Sequence, residues 1–231
     1  MSNYWRYSRS VYYSAVAALP LLVIYEILIV LSQSRYWGIR NAADVWIRTF
    51  LMAFDLHAQH ITFVLIGISL ALIPLAKSRA GGIKLKANYF ALMLAESLAF
   101  SMVLGILLQS ILRLGGLSSG GPGSGFIQNL ALSIGAGLFE EIIFRVILLN
   151  LLFWLLLPLF KKKLVATVVS VLLASFLFSL SHYVGSMADT WQLYSFIFRW
   201  GAGLLFTVLY FVRGFAITAY THALYDIWVL V

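Results

Sequence analysis

The sequence predicts an all-α fold: a polytopic transmembrane helical bundle of about seven spans, or eight, plus a helix lying in the membrane interface. Three observations predict it. Of 231 residues, 62% are hydrophobic and 10% charged, where a soluble domain carries about 45–50% apolar and about 25% charged residues. The apolar residues fall in runs close to the roughly 20 that a helix needs to cross a bilayer. The basic residues behind the net charge of +8 cluster between those runs: Arg6 and Arg9; Lys77, Arg79, Lys84 and Lys86; Lys161, Lys162 and Lys163. Such clusters face anionic headgroups. The composition excludes a water-soluble domain and a disordered chain. With no cysteine, disulfides, a thiol nucleophile and a cysteine metal site are excluded too. No aromatic-basic module is present, so the bilayer is the expected partner and nucleic acid is not.

Taken in order, the first span runs from Val11 to Leu31. It is too long for the apolar stretch of a signal peptide and lacks a small-residue cleavage site, so it reads as a retained helix. Asn41 to Leu56 carries Asp44, Arg48 and Asp55 on one side and Trp46, Phe50 and Phe54 on the other. That two-sided pattern predicts the interfacial helix, with a buried extra span as the alternative. Further spans follow at about 60–76, 88–112, 126–158, 164–182, 193–212 and 214–231. The run 126–158 is long for one crossing, which predicts a tilt or a break near Gly135 and Gly137. Gly115 to Gly125 reads as a linker, since it lacks the Gly-Lys-Ser/Thr ending of a phosphate loop. Tyr4, Trp5, Trp37 and Trp191 read as aromatic belt anchors. The chain is one integral-membrane domain, 1–231, with its motif-bearing core over 126–231.

Seven spans with a cytoplasmic N-terminus put the three basic clusters and Arg213 inside, which the positive-inside rule favours. A prokaryotic cell membrane is the expected location.

Of the eight acids, Glu26, Glu96, Glu140, Glu141 and Asp226 lie inside apolar runs, as do His182 and His222. An ionisable group at membrane depth costs a few kcal/mol or more and marks function by default. Glu141 and Arg145 are four apart and share a helix face, so they form an ion pair. Glu140 points ~100° away, toward a cavity. A packing salt bridge is the plain alternative for all three. Phe178 and His182 are four apart on the next span, and His222 and Asp226 on the last. There Asp226 either fixes the tautomer of His222 or joins it in donating or coordinating. Together these residues form a carboxylate–imidazole set suited to activating water and to holding an oxyanion. Ser181 adjoins His182, but neighbouring side chains diverge on a helix, which disfavours a serine nucleophile. Glu26 and Glu96 read as interhelical hydrogen-bond partners, His57 and His60 as solvated. Arg199 reads as a partner of Asp189 or as a snorkelling side chain.

In order along the chain, Glu140-Glu141-x-x-x-Arg145, Phe178-x-x-x-His182 and His222-x-x-x-Asp226 resemble the signature of the CPBP intramembrane proteases. That family contains the type II CAAX prenyl endopeptidases and bacteriocin-processing or immunity-associated proteins. The resemblance covers 139–226 and implies a helical membrane enzyme that cleaves a peptide bond near a membrane anchor. By position it implies Glu140 as the base that activates water, His182 as its assistant, and His222 with residue 226 as the oxyanion site. Glu141, Arg145 and Phe178 would be supporting. The prenyl-processing members resemble the pattern with Asn at its last position. Here it is Asp226, which donates only when protonated.

No cofactor is expected. Zinc is the alternative, since Glu140, His182, His222 and Asp226 offer two nitrogens and two oxygens. A membrane-anchored peptide or protein is the expected substrate. Under the seven-span arrangement the centre leans toward the outer leaflet, so the substrate is expected to be an exported or outer-face segment. A proton-coupled transporter using Glu26, Glu96, Glu140 and the histidines is the first competing function. A non-catalytic scaffold or immunity protein of the same fold is the second. The concentration of polar groups in the last hundred residues favours a site over a path.

Overall fold

The structure is a computed structural model that describes residues 3–32, 39–114, 125–185 and 188–231. The linker predicted at 115–125 lies outside them except for Gly125, as does Trp37. Every regular element among the described residues is helical: α1 (Asn3–Ser8), α2 (Val11–Ser32), α3 (Ala42–Met52), α4 (Ala58–Ser78), α5 (Ala87–Leu114), α6 (Phe126–Gly135), α7 (Leu149–Phe160), α8 (Lys163–Ser181), α9 (Leu193–Arg213) and α10 (Phe215–Leu230). Two π-helical segments, Ala136–Glu140 and Ile142–Leu148, join α6 to α7. The predicted break near Gly135 and Gly137 therefore takes the form of widened helix turns, a form that often occurs at functional sites.

Among the described residues, six helices are long and apolar enough to cross a membrane: α2, α4, the first 22 residues of α5, the continuous run Phe126–Phe160, α8 and α9. The count of seven is corrected here for α10. Its 16 residues reach about 24 Å at about 1.5 Å per residue, short of the roughly 30 Å hydrocarbon layer. Instead α10 is the post of the bundle, packed against α5, α6, the first π segment, α9 and α2. Its buried side chains are mostly small: Ala216, Thr218, Ala219, Thr221 and Ala223. Small residues let helix backbones approach closely where lipid offers no hydrophobic drive to pack. Outside this centre, α8 packs on both α7 and α9, and α4 on α2. The outward faces carry Phe63, Trp154 and Leu159, as a bundle solvated by acyl chains requires.

The two sides of α3 face as follows. Its charged side faces the protein: Asp44 is fully buried and Arg48 nearly so, while Trp46, Phe50 and Phe54 are exposed. The charge is tolerated because Glu26 of α2 accepts from Arg40, Arg48 and Thr62, and Asp44 accepts from Arg40 and Arg48. Buried charges persist when paired and hydrogen-bonded.

At the other end, α1 folds back onto the α9–α10 turn. Arg213 is fully buried, pairs with Glu96 and donates to Ser8 Oγ. Tyr4 donates to Glu96 at 2.6 Å, and the Trp5 ring lies 3.8 Å from the guanidinium carbon. Burial raises the Tyr4 phenol above its ordinary value, and Glu96 adds to that. Tyr4 and Trp5 thus brace an ion pair. The turn itself is one residue, Gly214, at φ +80°, a conformation that disfavours a side chain.

Candidate active site

The π segments bring Glu140 and Glu141 together onto one residue of α10. Glu141 Oε1 lies 2.7 Å from His222 Nδ1. Glu140 Oε2 lies 4.0 Å from His222 Nε2, and Asp226 Oδ2 lies 3.7 Å from the same nitrogen. One imidazole is therefore held at Nδ1 by one carboxylate and faces two more across Nε2. The residue that fixes the His222 tautomer is Glu141, not Asp226: its carboxylate accepts from Nδ1–H, which keeps the proton on that nitrogen. The expected pairing of Glu141 with Arg145 is present at 3.0 Å. What differs is that the same oxygen, Glu141 Oε1, also meets the imidazole.

Arg145 is almost wholly buried. Besides its ion pair with Glu141, it donates from Nη2 to the Gly203 carbonyl at 3.2 Å, and its guanidinium carbon sits 4.6 Å from the Phe178 ring centre. Phe178 stands among the site residues, with ring centres 5.1 Å from His182 and 6.3 Å from His222. Phe206 stacks on His222 at 4.4 Å. These rings fix the two imidazoles by packing.

His182 follows the last turn of α8. Its Nδ1 is 3.0 Å from the Phe178 carbonyl. A carbonyl only accepts, so Nδ1 donates and the neutral ring keeps its lone pair on Nε2. His182 is close enough to Glu140 for the two to interact electrostatically.

A residue that sequence reasoning missed completes the set. Asn41 Nδ2 donates to Glu140 Oε1 at 2.8 Å. Asn41 is the N-cap of α3 and takes the Ala43 N–H on its own Oδ1. The pattern Asn41-x-x-Asp44 signals a helix start, but it does not tell which distant carboxylate the free amide N–H will meet.

Other expectations resolve simply. Glu26 and Glu96 are interhelical partners of arginines. Arg199 pairs with Asp189. His57 and His60 are exposed at the start of α4. Zinc is the alternative for the four candidate residues. Their donor types suit the metal, yet among the described residues no three His, Asp or Glu side chains are arranged to hold one ion. An apolar hollow between α2, α5 and α10, lined by Val16, Phe90, Met93, Ala216 and Tyr220, has none of the four candidate catalytic residues on its wall.

Residues 122–228, just under half of the chain, match the family model described as type II CAAX prenyl endopeptidase Rce1-like. No curated protein and no solved structure matches the chain. The matched segment holds Glu140, His182, His222 and Asp226. That segment is similar to the Rce1-like model, a likeness consistent with the CPBP family and with a CAAX-protease-type peptidase set in a multi-pass membrane protein.

Proposed function

We propose that the chain is an intramembrane endopeptidase in which Glu140 and His182 activate water to hydrolyse a peptide bond near a membrane anchor. Glu140 takes a proton from the water as its oxygen attacks the carbonyl carbon. His222, whose Nδ1–H is held by Glu141, donates Nε2–H to the oxyanion in its doubly protonated form. Asp226, when it carries a proton, adds a second donor. Collapse breaks the C–N bond, and the proton held by Glu140 passes to the leaving amine. The observation that carries this reading is the convergence of Glu140 and Asp226 on one nitrogen of His222 at 4.0 and 3.7 Å. Those gaps exceed a direct hydrogen bond and suit a bridging water.

The transporter alternative loses ground to the same structure. Glu26 and Glu96 are closed into arginine pairs at opposite ends of α2 and α5 rather than strung toward the histidines. No metal enters the proposed mechanism.

We place the N-terminus in the cytoplasm and the centre toward the outer half of the membrane. Arg9 and Arg213 hold one end of the bundle together with Lys84, whose carbonyl accepts from Tyr13. A basic end faces the cytoplasm by the positive-inside rule. A membrane-anchored, outer-face segment is the corresponding substrate.

The test is cleavage of lipid-anchored model peptides by purified wild type, Glu140→Gln and His182→Ala. Glu140→Gln loses at least about a hundredfold, the lower range for a lost general base; a variant as fast as wild type refutes the mechanism. Chelator-treated wild type keeps its rate. A rate abolished by chelation and restored by zinc reassigns the four side chains to a metal.

A further inference from the structure

We propose that Asn41, which lies outside the matched segment, is the positioning residue for Glu140. The inference rests on Glu140 being the base. Among the described residues, the hydrogen bond to the Glu140 carboxylate comes from Asn41 Nδ2, at 2.8 Å to Oε1. It leaves the other oxygen, Oε2, as the one directed to His222 Nε2. A carboxylate pinned at one oxygen presents the second in a fixed direction, which is what a general base needs before substrate arrives.

The amide cannot turn around. Asn41 Oδ1 already accepts the Ala43 N–H at 2.9 Å as the cap of α3, so Nδ2 is the end that meets Glu140. The backbone is pinned as well. Asn41 N–H donates to Tyr25 Oη at 3.3 Å, and Tyr25 donates to Asp44 at 2.8 Å. Asp44 in turn takes Arg40 at 2.9 Å and Arg48 at 2.7 Å, and both arginines close on Glu26. The wall behind is equally tight. A Cβ on Gly135 would come within 2.6 Å of the Tyr25 ring and 3.0 Å of Asn41 Cβ. Glycine at 135 is what lets α6 approach the cap closely enough for the bond to Glu140 to form. The buried charge network of α2, α3 and α4 thereby serves the site by holding one amide against one carboxylate.

Two variants separate the cap from the donor. Asn41→Ser and Asn41→Asp both keep a good helix cap, and neither offers an amide N–H to Glu140. With lipid-anchored peptides, both lower kcat by about ten- to a hundredfold and leave KM within about twofold, the pattern of a mispositioned reacting group. A second readout needs no turnover. The infrared carboxyl band that disappears in E140Q shifts in N41S and N41D, because its hydrogen-bond donor is gone. Variants that keep both kcat and the band position, beside an inactive E140Q, overturn the positioning role and leave the base intact. A raised KM at unchanged kcat makes Asn41 a substrate contact and overturns the proposal. An E140Q that cleaves like wild type overturns both readings. Either variant alone suffices if the other fails to fold.

Discussion

Arg145 illustrates how far a single side chain carries the candidate centre. It is buried to 1% exposure, neutralises Glu141 at 3.0 Å, touches the Gly203 carbonyl of α9 and lies against Phe178 of α8. Removing one partner of a buried pair strands the other charge and costs about 3–5 kcal/mol. Arg145→Met should therefore lower unfolding stability in detergent by that amount, measured by denaturant titration. Replacing both Glu141 and Arg145 by Met should recover much of the loss, since a buried pair is often no better than apolar packing. Cleavage should not recover, because His222 Nδ1 then has no carboxylate to hold it. A double variant that regains activity would show that Glu141 has no role beyond neutralising Arg145. The i,i+4 spacing of Glu141 and Arg145 was legible in the sequence because it is local. The reach of Glu141 to a histidine 81 residues away was not, because the widened helix turns alter which faces neighbouring residues share.

Among the elements, the run from α6 through the π segments to α7 decides the geometry. Its first π segment packs against α10, and Gly137 is where the two backbones meet. A Cβ there would come within 2.6 Å of Ala223 Cβ and of the Ala223 backbone nitrogen. Neither neighbour is a flexible side-chain end, so one helix must move. Gly137→Ala should cost about 1–3 kcal/mol, as overpacking does, and should reduce cleavage by moving His222 away from Glu140. Gly201→Ala is the control: nothing lies within 4 Å of its would-be Cβ, and alanine is the better helix former. Thermal unfolding of the two proteins side by side checks the contrast, and equal losses would remove Gly137 from its assigned place. Hydropathy located this long run and the glycines suggested a break. The direction of the break depends on α10, which hydropathy alone read as one more span.

For the molecule as a whole, the proposed orientation has a direct check. The chain contains no cysteine, so single cysteines can be introduced without a background. Thr190→Cys, beside the Asp189–Arg199 pair, should react with a membrane-impermeant thiol reagent from outside intact cells. Lys84→Cys, at the basic end near Tyr13 and Lys86, should react only after the membrane is opened. The reverse pattern would turn the centre toward the cytoplasm and change the class of substrate that reaches it.

At this scale, composition and run length alone determined a helical membrane protein, because burying backbone polar groups in lipid leaves a chain of apolar runs little other choice. The sequence by itself also determined which local pairs lie in register, Glu141 with Arg145, Phe178 with His182 and His222 with Asp226, since i,i+4 neighbours follow from helix geometry. The tertiary structure decided three things that such spacing cannot encode. It turned the charged side of α3 inward onto Glu26, made Glu141 rather than Asp226 the holder of His222, and brought Asn41 across 99 residues to Glu140. Each is a pairing of buried polar groups between segments far apart in the chain. Such groups take whichever partner the packed helices bring within reach, because in a low-dielectric interior an unpaired charge is the costlier outcome.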